Sequence, residues 1–145
     1  MATSAPTPNL PLFYNAIEPL NVTTHGAMKV RTALKMGQVA RSHAIPLTVD
    51  EFTMVQRHYP IVFSVGETPI PMALMGLNEG VNVFLDDDGR LLEPNFYVPA
   101  YIRRYPFLLA RLRPDNDELS LCFDPTAEAV GDYDEGKPLF DGDQP

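Results

Sequence analysis

Two tyrosines and two arginines near residue 100 are the side chains of this sequence best suited to binding chemistry. Tyr97, Tyr101 and Arg104 are spaced i, i+4 and i+7, and Arg103 adjoins Arg104. Residues at this spacing share one face of an α-helix. Phenols and guanidinium groups together bind carboxylates or phosphates and stack on aromatic ligands. Because tyrosine and arginine also anchor protein interfaces, we favour a structural or interface role for this face over a small-molecule site.

His58 and Tyr59 form a second candidate site, immediately before Pro60. A histidine in the last turn of a helix interacts favourably with the free carbonyl groups there, so a capping role for His58 is favoured over catalysis. The alternative is an anionic substrate bound between His58 and the pair Arg103 and Arg104.

The other polar residues form no catalytic, metal or cofactor pattern. His25, His43 and His58 lie 18 and 15 positions apart, which is not the spacing that brings two imidazoles to one metal. The acidic run Asp86–Asp88 lacks the alternating ligands and distal glutamate of a calcium loop, and it predicts a turn. We therefore expect no catalytic residue, no metal and no cofactor, while an enzymatic activity stays open.

Two short helices, each closed by a Tyr-Pro step, are predicted to position these side chains. The segment Thr48–Glu51 is a capping box and predicts a helix over about residues 49–59. Pro99 fits the first turn of a second helix, over about residues 98–105. Each helix is followed by proline, which disfavours helical geometry in the tyrosine before it.

Short strands are predicted for most of the remaining chain. The apolar or alternating runs are residues 28–35, 61–65, 72–77, 81–85, 107–113 and 118–124. Turn residues favour hairpins between 72–77 and 81–85 and between 107–113 and 118–124. Asp86–Gly89 supplies a further turn. The predicted fold class is α+β, mainly an antiparallel β-meander or sheet with the two short helices.

The composition predicts one domain with polar ends. The chain has 145 residues, 45% of them hydrophobic, which suffices for one core. Residues 1–12 are rich in proline and predict a flexible tether, and residues 13–125 form the domain. Residues 126–145 are predicted to be acidic and partly extended. Only one of the 11 Lys and Arg residues, but ten of the 19 Asp and Glu residues, lie beyond residue 113. This charge disfavours nucleic acid as a partner.

The expected compartment is the cytoplasm. The single cysteine, Cys122, precludes an internal disulfide and is predicted to be a small apolar residue in a strand. The N-terminal residues lack the features of a signal peptide, and no apolar run reaches the roughly 18 residues needed to cross a bilayer. We therefore expect no membrane insertion.

The segments HYPIVF (His58–Phe63) and FYVPAYIRRYPF (Phe96–Phe107) resemble the bacterial SapC family, named for a protein associated with a paracrystalline surface layer. Further similar segments are Leu10–Tyr14, Asn82–Arg90, the LCFD strand end at Asp124, and Pro138–Asp143. Family members are usually longer, and this chain resembles their N-terminal portion. The resemblance implies a bacterial protein linked to surface-layer assembly or to the export or modification of peptides, and it transfers no catalytic residue.

The leading hypothesis is a non-enzymatic binding or accessory module that contacts a protein or peptide through the aromatic and arginine helix face. One alternative is an enzyme, or an enzyme subunit, that binds a small anionic substrate near His58 and Arg103 or Arg104. A third is a self-associating surface-layer component, which would be a homo-oligomer.

Overall fold

The structure, a computed structural model, describes residues 10–31, 37–113, 115, 117–142 and 144–145. The predicted tether lies almost wholly outside these residues, and so does the second half of the predicted strand 28–35.

Short strands make up most of the regular structure, with brief helices between them. In chain order the elements are β1 (Glu18–Pro19), α1 (Val22–His25), β2 (Lys29–Val30), α2 (Gly37–Ala40), β3 (Ala44–Pro46), a 3-10 helix (Val49–Glu51), α3 (Phe52–Val55), β4 (Ile61–Phe63), β5 (Pro71–Leu74), α4 (Ala100–Arg103), β6 (Phe107–Arg111), β7 (Leu119–Phe123), β8 (Val130–Gly131) and β9 (Lys137–Pro138). Among the helices described, none has the length and apolar character that crossing a bilayer requires.

In the part of the chain that the structure describes, the strands pair into three antiparallel sheets of three strands each. Their orders are β1-β7-β6, β8-β2-β9 and β3-β5-β4. The predicted α+β class with mainly antiparallel pairing is therefore confirmed, and the predicted meander is divided among three small sheets.

The sheet β3-β5-β4 forms one wall of the core beside the candidate site. Its register places Ile45 and Ile61 opposite Ala73, so these three side chains share one face. Ile45 and Ala73 are fully buried, and Ile61 packs against the same cluster.

The predicted hairpin between residues 72–77 and 81–85 is wrong. β5 ends at Leu74, and beyond it the Val83 amide donates to the Met75 carbonyl without forming a strand. The physical reason is the sheet order, because β3 and β4 already occupy both edges of β5. A Cβ on Gly76 would lie 1.8 Å from the Val81 carbonyl oxygen. The chain therefore closes a tight loop here, where only glycine fits.

The turn predicted at Asp86–Gly89 is confirmed. Oδ1 of Asp86 accepts hydrogen bonds from the amides of Asp88, at 3.0 Å, and Arg90, at 2.8 Å. Gly89 has a positive φ of 79°, which glycine adopts without steric cost.

The hairpin predicted over residues 107–124 is also confirmed. β6 and β7 pair over their full length, from Phe107 opposite Phe123 to Arg111 opposite Leu119. Cys122 is buried on the inner face, where it lies opposite Leu108.

The acidic C-terminal segment contributes two strands to the fold. β8 and β9 pair with opposite edges of β2, and Val130 packs with Ala129 and Phe123 in a second buried cluster. The boundary predicted at residue 125 stays a prediction.

Both predicted helices are present and are shorter than expected. The capping box at Thr48–Glu51 is confirmed, and it begins a 3-10 helix that continues into α3. α4 begins at Ala100, with Pro99 as its N-cap residue. The helix α1 was not predicted. The Asn21 side chain caps it by accepting from the Thr23 amide at 2.8 Å.

The two tyrosines that precede proline are core residues. Tyr59 is 2% exposed and Tyr105 is 5% exposed, and both belong to the main buried cluster. The Tyr59 ring lies 4.8 Å from the ring of Phe84 in an edge-on contact. The Tyr-Pro steps therefore fix the ends of both helices to the same core.

Candidate functional site

Glu51 joins the two predicted helices and is the centre of the candidate site. Its side chain is buried. Oε2 accepts hydrogen bonds from the amide and the hydroxyl of Thr48, both at 3.0 Å. Oε1 accepts from the Ala100 amide at 2.6 Å and from the Tyr97 hydroxyl at 3.1 Å. One carboxylate thus completes the capping box of the first helix and also binds the first amide of α4.

These hydrogen bonds keep Glu51 ionised. Burial by itself would raise the pKa of Glu51, but the donors on Thr48, Ala100 and Tyr97 outweigh it and hold the pKa below its ordinary value of 4.5. Desolvation and the Glu51 carboxylate in turn raise the pKa of Tyr97, so its hydroxyl keeps its proton and acts as a donor.

Arg103 is positioned by Tyr97. An Nη2 proton of Arg103 is donated to the Tyr97 hydroxyl oxygen at 2.9 Å, and that hydroxyl donates onward to Glu51. The guanidinium carbon lies 5.4 Å from the centre of the Tyr97 ring. Arg103 is exposed to solvent, so its other donors remain available to a ligand.

Arg104 is positioned by Tyr101 in a different way. Its guanidinium carbon lies 4.0 Å above the centre of the Tyr101 ring, a cation–π geometry, and 5.8 Å from that of Tyr14. Tyr101 is held by Phe13, whose ring lies 5.8 Å away. Burial raises the pKa of Tyr14 to about 12, although the charge of Arg104 acts to lower it.

The prediction that Tyr97, Tyr101 and Arg104 share one helix face is wrong. α4 begins at Ala100, so Tyr97 precedes the helix. Consecutive residues on a helix do not face each other, and Arg103 and Arg104 accordingly contact different tyrosines. The four side chains form two pairs on either side of Glu51.

Two open depressions correspond to these pairs. The first, which we name the Arg103 pocket, has a volume of about 330 Å³ and a lining that includes Met54, His58, Phe96, Tyr97, Val98 and Arg103. The second, the Arg104 pocket, has a volume of about 210 Å³ and a lining that includes Pro46, Leu47, Thr48, Glu51, Tyr101 and Arg104.

Neither arginine is neutralised by the described part of the chain. The ion pairs found there are His25 with Glu18, Arg90 with Asp88, and Arg111 with Asp117. Arg103 and Arg104 therefore present exposed positive charges on supports that are already fixed.

His58 and Tyr59 have different positions. The His58 ring lines the Arg103 pocket and lies 4.9 Å from the ring of Phe96, tilted by 36°. Tyr59 lies behind Phe96 in the core, and among the described residues its hydroxyl has no hydrogen-bond partner. Burial raises its pKa to about 12. Tyr59 supports the pocket from behind and is not open to a partner.

Two further buried polar side chains have structural roles that the sequence did not reveal. His25 accepts from the Asn21 amide through Nδ1 at 3.0 Å, and its Nε2 lies 3.3 Å from Oε1 of Glu18. Both imidazole nitrogens are thus occupied. Asp124 is buried and accepts from the Asn15 amide at 2.7 Å. Across the described ranges, no three His, Cys, Asp or Glu side chains form a group suited to a metal ion.

Comparison with known proteins identified one family. A family model described as SapC matches residues 20–145, which is most of the chain and includes both pockets. The similar segment Leu10–Tyr14 lies outside this range. Comparisons with curated proteins and with solved structures gave no match.

Proposed function

The chain belongs to the SapC family, and we propose that it is a non-enzymatic binding module that contacts a protein or peptide partner through the surface around Glu51. The observation that carries the proposal is the pair of exposed arginines, Arg103 and Arg104, each held by a tyrosine and each without a carboxylate partner in the described residues.

Fixed arginines favour tight binding because less side-chain freedom is lost when the partner arrives. Immobilising a flexible side chain at an interface costs about 0.5–1.5 kcal/mol. Tyr97 and Tyr101 already restrict the two guanidinium groups. Arginine and tyrosine are also the residue types that contribute most to binding at interfaces.

The charge of the surface favours an acidic partner. Arginine binds carboxylates in two-point contacts, and the depressions beside Arg103 and Arg104 add apolar surface from Met54, Phe96 and Leu47. The partner expected from this chemistry carries carboxylates next to apolar side chains.

The test is affinity capture from an extract of a bacterium that carries this chain. We expect the double variant Arg103→Gln, Arg104→Gln to capture the partner at least about tenfold less efficiently, since losing charged hydrogen bonds costs about 1.5–3 kcal/mol each. Arg41→Gln is the matched control, because Arg41 is also exposed and lines neither pocket. It should capture the partner normally.

Arginine variants are the correct choice because they leave the core unchanged. Tyr101 packs against the main buried cluster and against Phe13, so Tyr101→Ala would confuse lost binding with lost packing. The melting temperature of the double variant should stay within about 3 °C of the wild type. Normal capture by the double variant would contradict the proposal.

A second candidate function is an enzyme or enzyme subunit acting on a small anionic substrate. The observation that favours it is that His58 and Arg103 line the same pocket. Turnover of such a substrate should then be lost in both His58→Asn and Arg103→Gln. If His58→Asn keeps full partner binding while Arg103→Gln loses it, the binding module is supported instead.

The proposal places the module in the cytoplasm as an accessory protein, and cell fractionation tests that location. Self-association in a surface layer is implied only by the family resemblance. Light scattering that shows a strict monomer at high protein concentration would exclude it.

A further inference from the structure

The Arg103 pocket has a preformed apolar wall. Phe96 and Val98 are half-buried and Met54 is 43% exposed, so all three present carbon surface to the pocket. The Phe96 ring is backed by Phe84 at 5.8 Å and by Tyr59 at 6.1 Å. Because this aromatic support belongs to the core, a ligand meets a surface that is already ordered.

The same pocket has one permanent charge, and it is positive. Its lining contains Arg103 and His58 but no aspartate or glutamate. A guanidinium group has five donors, and within the described part of the chain Arg103 uses one of them, for the Tyr97 hydroxyl. The free donors suit one carboxylate bound in a two-point contact.

The Arg104 pocket, in contrast, has a carboxylate in its lining. Glu51 lines this depression together with Arg104, so a ligand carboxylate bound there also meets an ionised carboxylate of the chain and binds less strongly. On the Arg103 side, Tyr97 lies between Glu51 and the guanidinium group. A ligand carboxylate is therefore favoured in the Arg103 pocket.

The size of the pocket limits the ligand to about one residue. Its volume of about 330 Å³ is near the lower end of the range of about 300–1,000 Å³ for small-ligand sites. The ligand residue must present both an apolar side chain and a carboxylate. An internal aspartate or glutamate uses its side chain for the carboxylate, whereas a C-terminal residue carries its carboxylate on the backbone.

We infer that the Arg103 pocket binds the C-terminal residue of a peptide or protein, with the terminal carboxylate on Arg103 and a large apolar side chain against Phe96 and Met54. This inference rests on the proposed function and specifies the ligand class of one of its two depressions.

The experiment is an NMR titration of the full, isotope-labelled chain with a short, otherwise polar peptide that ends in phenylalanine. The free acid should shift the amide signals of Tyr97 and Arg103 and the ring signals of His58 at millimolar concentration. The matched peptide amide should bind at least about tenfold more weakly, because it cannot form the charged hydrogen bonds. A free acid that ends in alanine should also bind more weakly, because it leaves the aromatic wall uncovered.

Two variants locate the binding. Arg103→Gln should lose the response to the free acid, and Arg41→Gln, at an exposed arginine that does not line the pocket, should keep it. Equal binding of acid and amide, an unchanged response in Arg103→Gln, or no response of the wild type at millimolar peptide would each overturn the inference.

The result is separable from the test of the proposed function. If partner capture depends on both arginines but survives extension of the partner's C-terminus, the binding module stands and the inference about the terminal residue fails. If capture does not depend on the arginines, the proposed function itself fails.

Discussion

The two sides of Glu51 use the same pair of residue types in different ways. In the Arg103 pocket the guanidinium group is fixed by a hydrogen bond to the Tyr97 hydroxyl, which also contacts Glu51. In the Arg104 pocket the guanidinium group lies over the face of the Tyr101 ring, with its carbon 4.0 Å from the ring centre. The difference shows that adjacent, identical residues acquire separate roles from the neighbours that fix them.

One residue, Glu51, supports both the Arg103 pocket and the Arg104 pocket. Glu51 accepts from Thr48, Ala100 and Tyr97 and so fixes both helix starts. Each tyrosine and each arginine serves a single pocket. Substitutions at Glu51 should therefore have the largest effects on the stability of the protein, and substitutions at Arg104 the smallest.

Glu51→Ala should destabilise the protein more than any other substitution considered, because it removes the carboxylate that joins the two helices. It leaves the amides of Thr48 and Ala100 and the hydroxyl of Tyr97 without their acceptor. We expect the free energy of unfolding to fall by about 3 kcal/mol, measured by urea denaturation. Asp50→Ala, at the exposed acid next to it, is the control and should change stability by less than about 0.5 kcal/mol. Equal effects of the two variants would show that Glu51 does not join the helices.

Lowering the pH should destabilise the protein less than Glu51→Ala does, because the protonated Glu51 side chain still occupies the same space. The pKa of Glu51 in the folded protein is below the ordinary value of 4.5. Its stabilising contribution is therefore fully present above that value and is lost as the pH falls through the lower, folded-state pKa. The stability difference between wild type and Glu51→Gln should shrink over this range in urea titrations. A difference that does not vary with pH would contradict the assignment.

Tyr97→Phe should affect the Arg103 side alone. It removes the hydroxyl between Arg103 and Glu51, so we expect a loss of about 1 kcal/mol in stability and weaker binding of the free-acid peptide. Tyr101→Phe is the matched control, because it keeps the ring face over which the Arg104 guanidinium group lies. If Tyr101→Phe weakens peptide binding as much as Tyr97→Phe does, the two sides are not independent.

Arg104→Gln should have the smallest effect on the isolated protein. An exposed cation–π contact contributes about 0.5–1 kcal/mol, so the melting temperature should fall only slightly. Peptide binding in the Arg103 pocket should be unchanged. Loss of that binding would mean that both arginines hold a single ligand.

Local patterns in the sequence predicted the parts of the fold that depend on near neighbours. The capping box at Thr48–Glu51, the turn at Asp86–Gly89 and the β6–β7 hairpin are each formed by residues close in the chain. The candidate binding residues were also named from the sequence, and all but Tyr59 line the two depressions; that they bind a partner stays a prediction.

The parts that the sequence did not predict depend on distant contacts. The hydrogen bond from Ala100 to Glu51 joins residues 49 positions apart, and no local spacing indicates it. The failed hairpin at residues 81–85 has the same cause, because β3 takes the edge of β5 that the local pattern left free. The helical spacing from Tyr97 to Arg104 failed because α4 starts after Tyr97.

The most direct test of the account is the affinity of the captured partner, measured by calorimetry for the wild type, Arg103→Gln, Arg104→Gln and Arg41→Gln at one fixed salt concentration. We predict that the variants at Arg103 and Arg104 each bind at least about tenfold more weakly, and that Arg41→Gln binds like the wild type. Equal affinity of all four proteins would contradict the claim that these two fixed arginines form the binding surface.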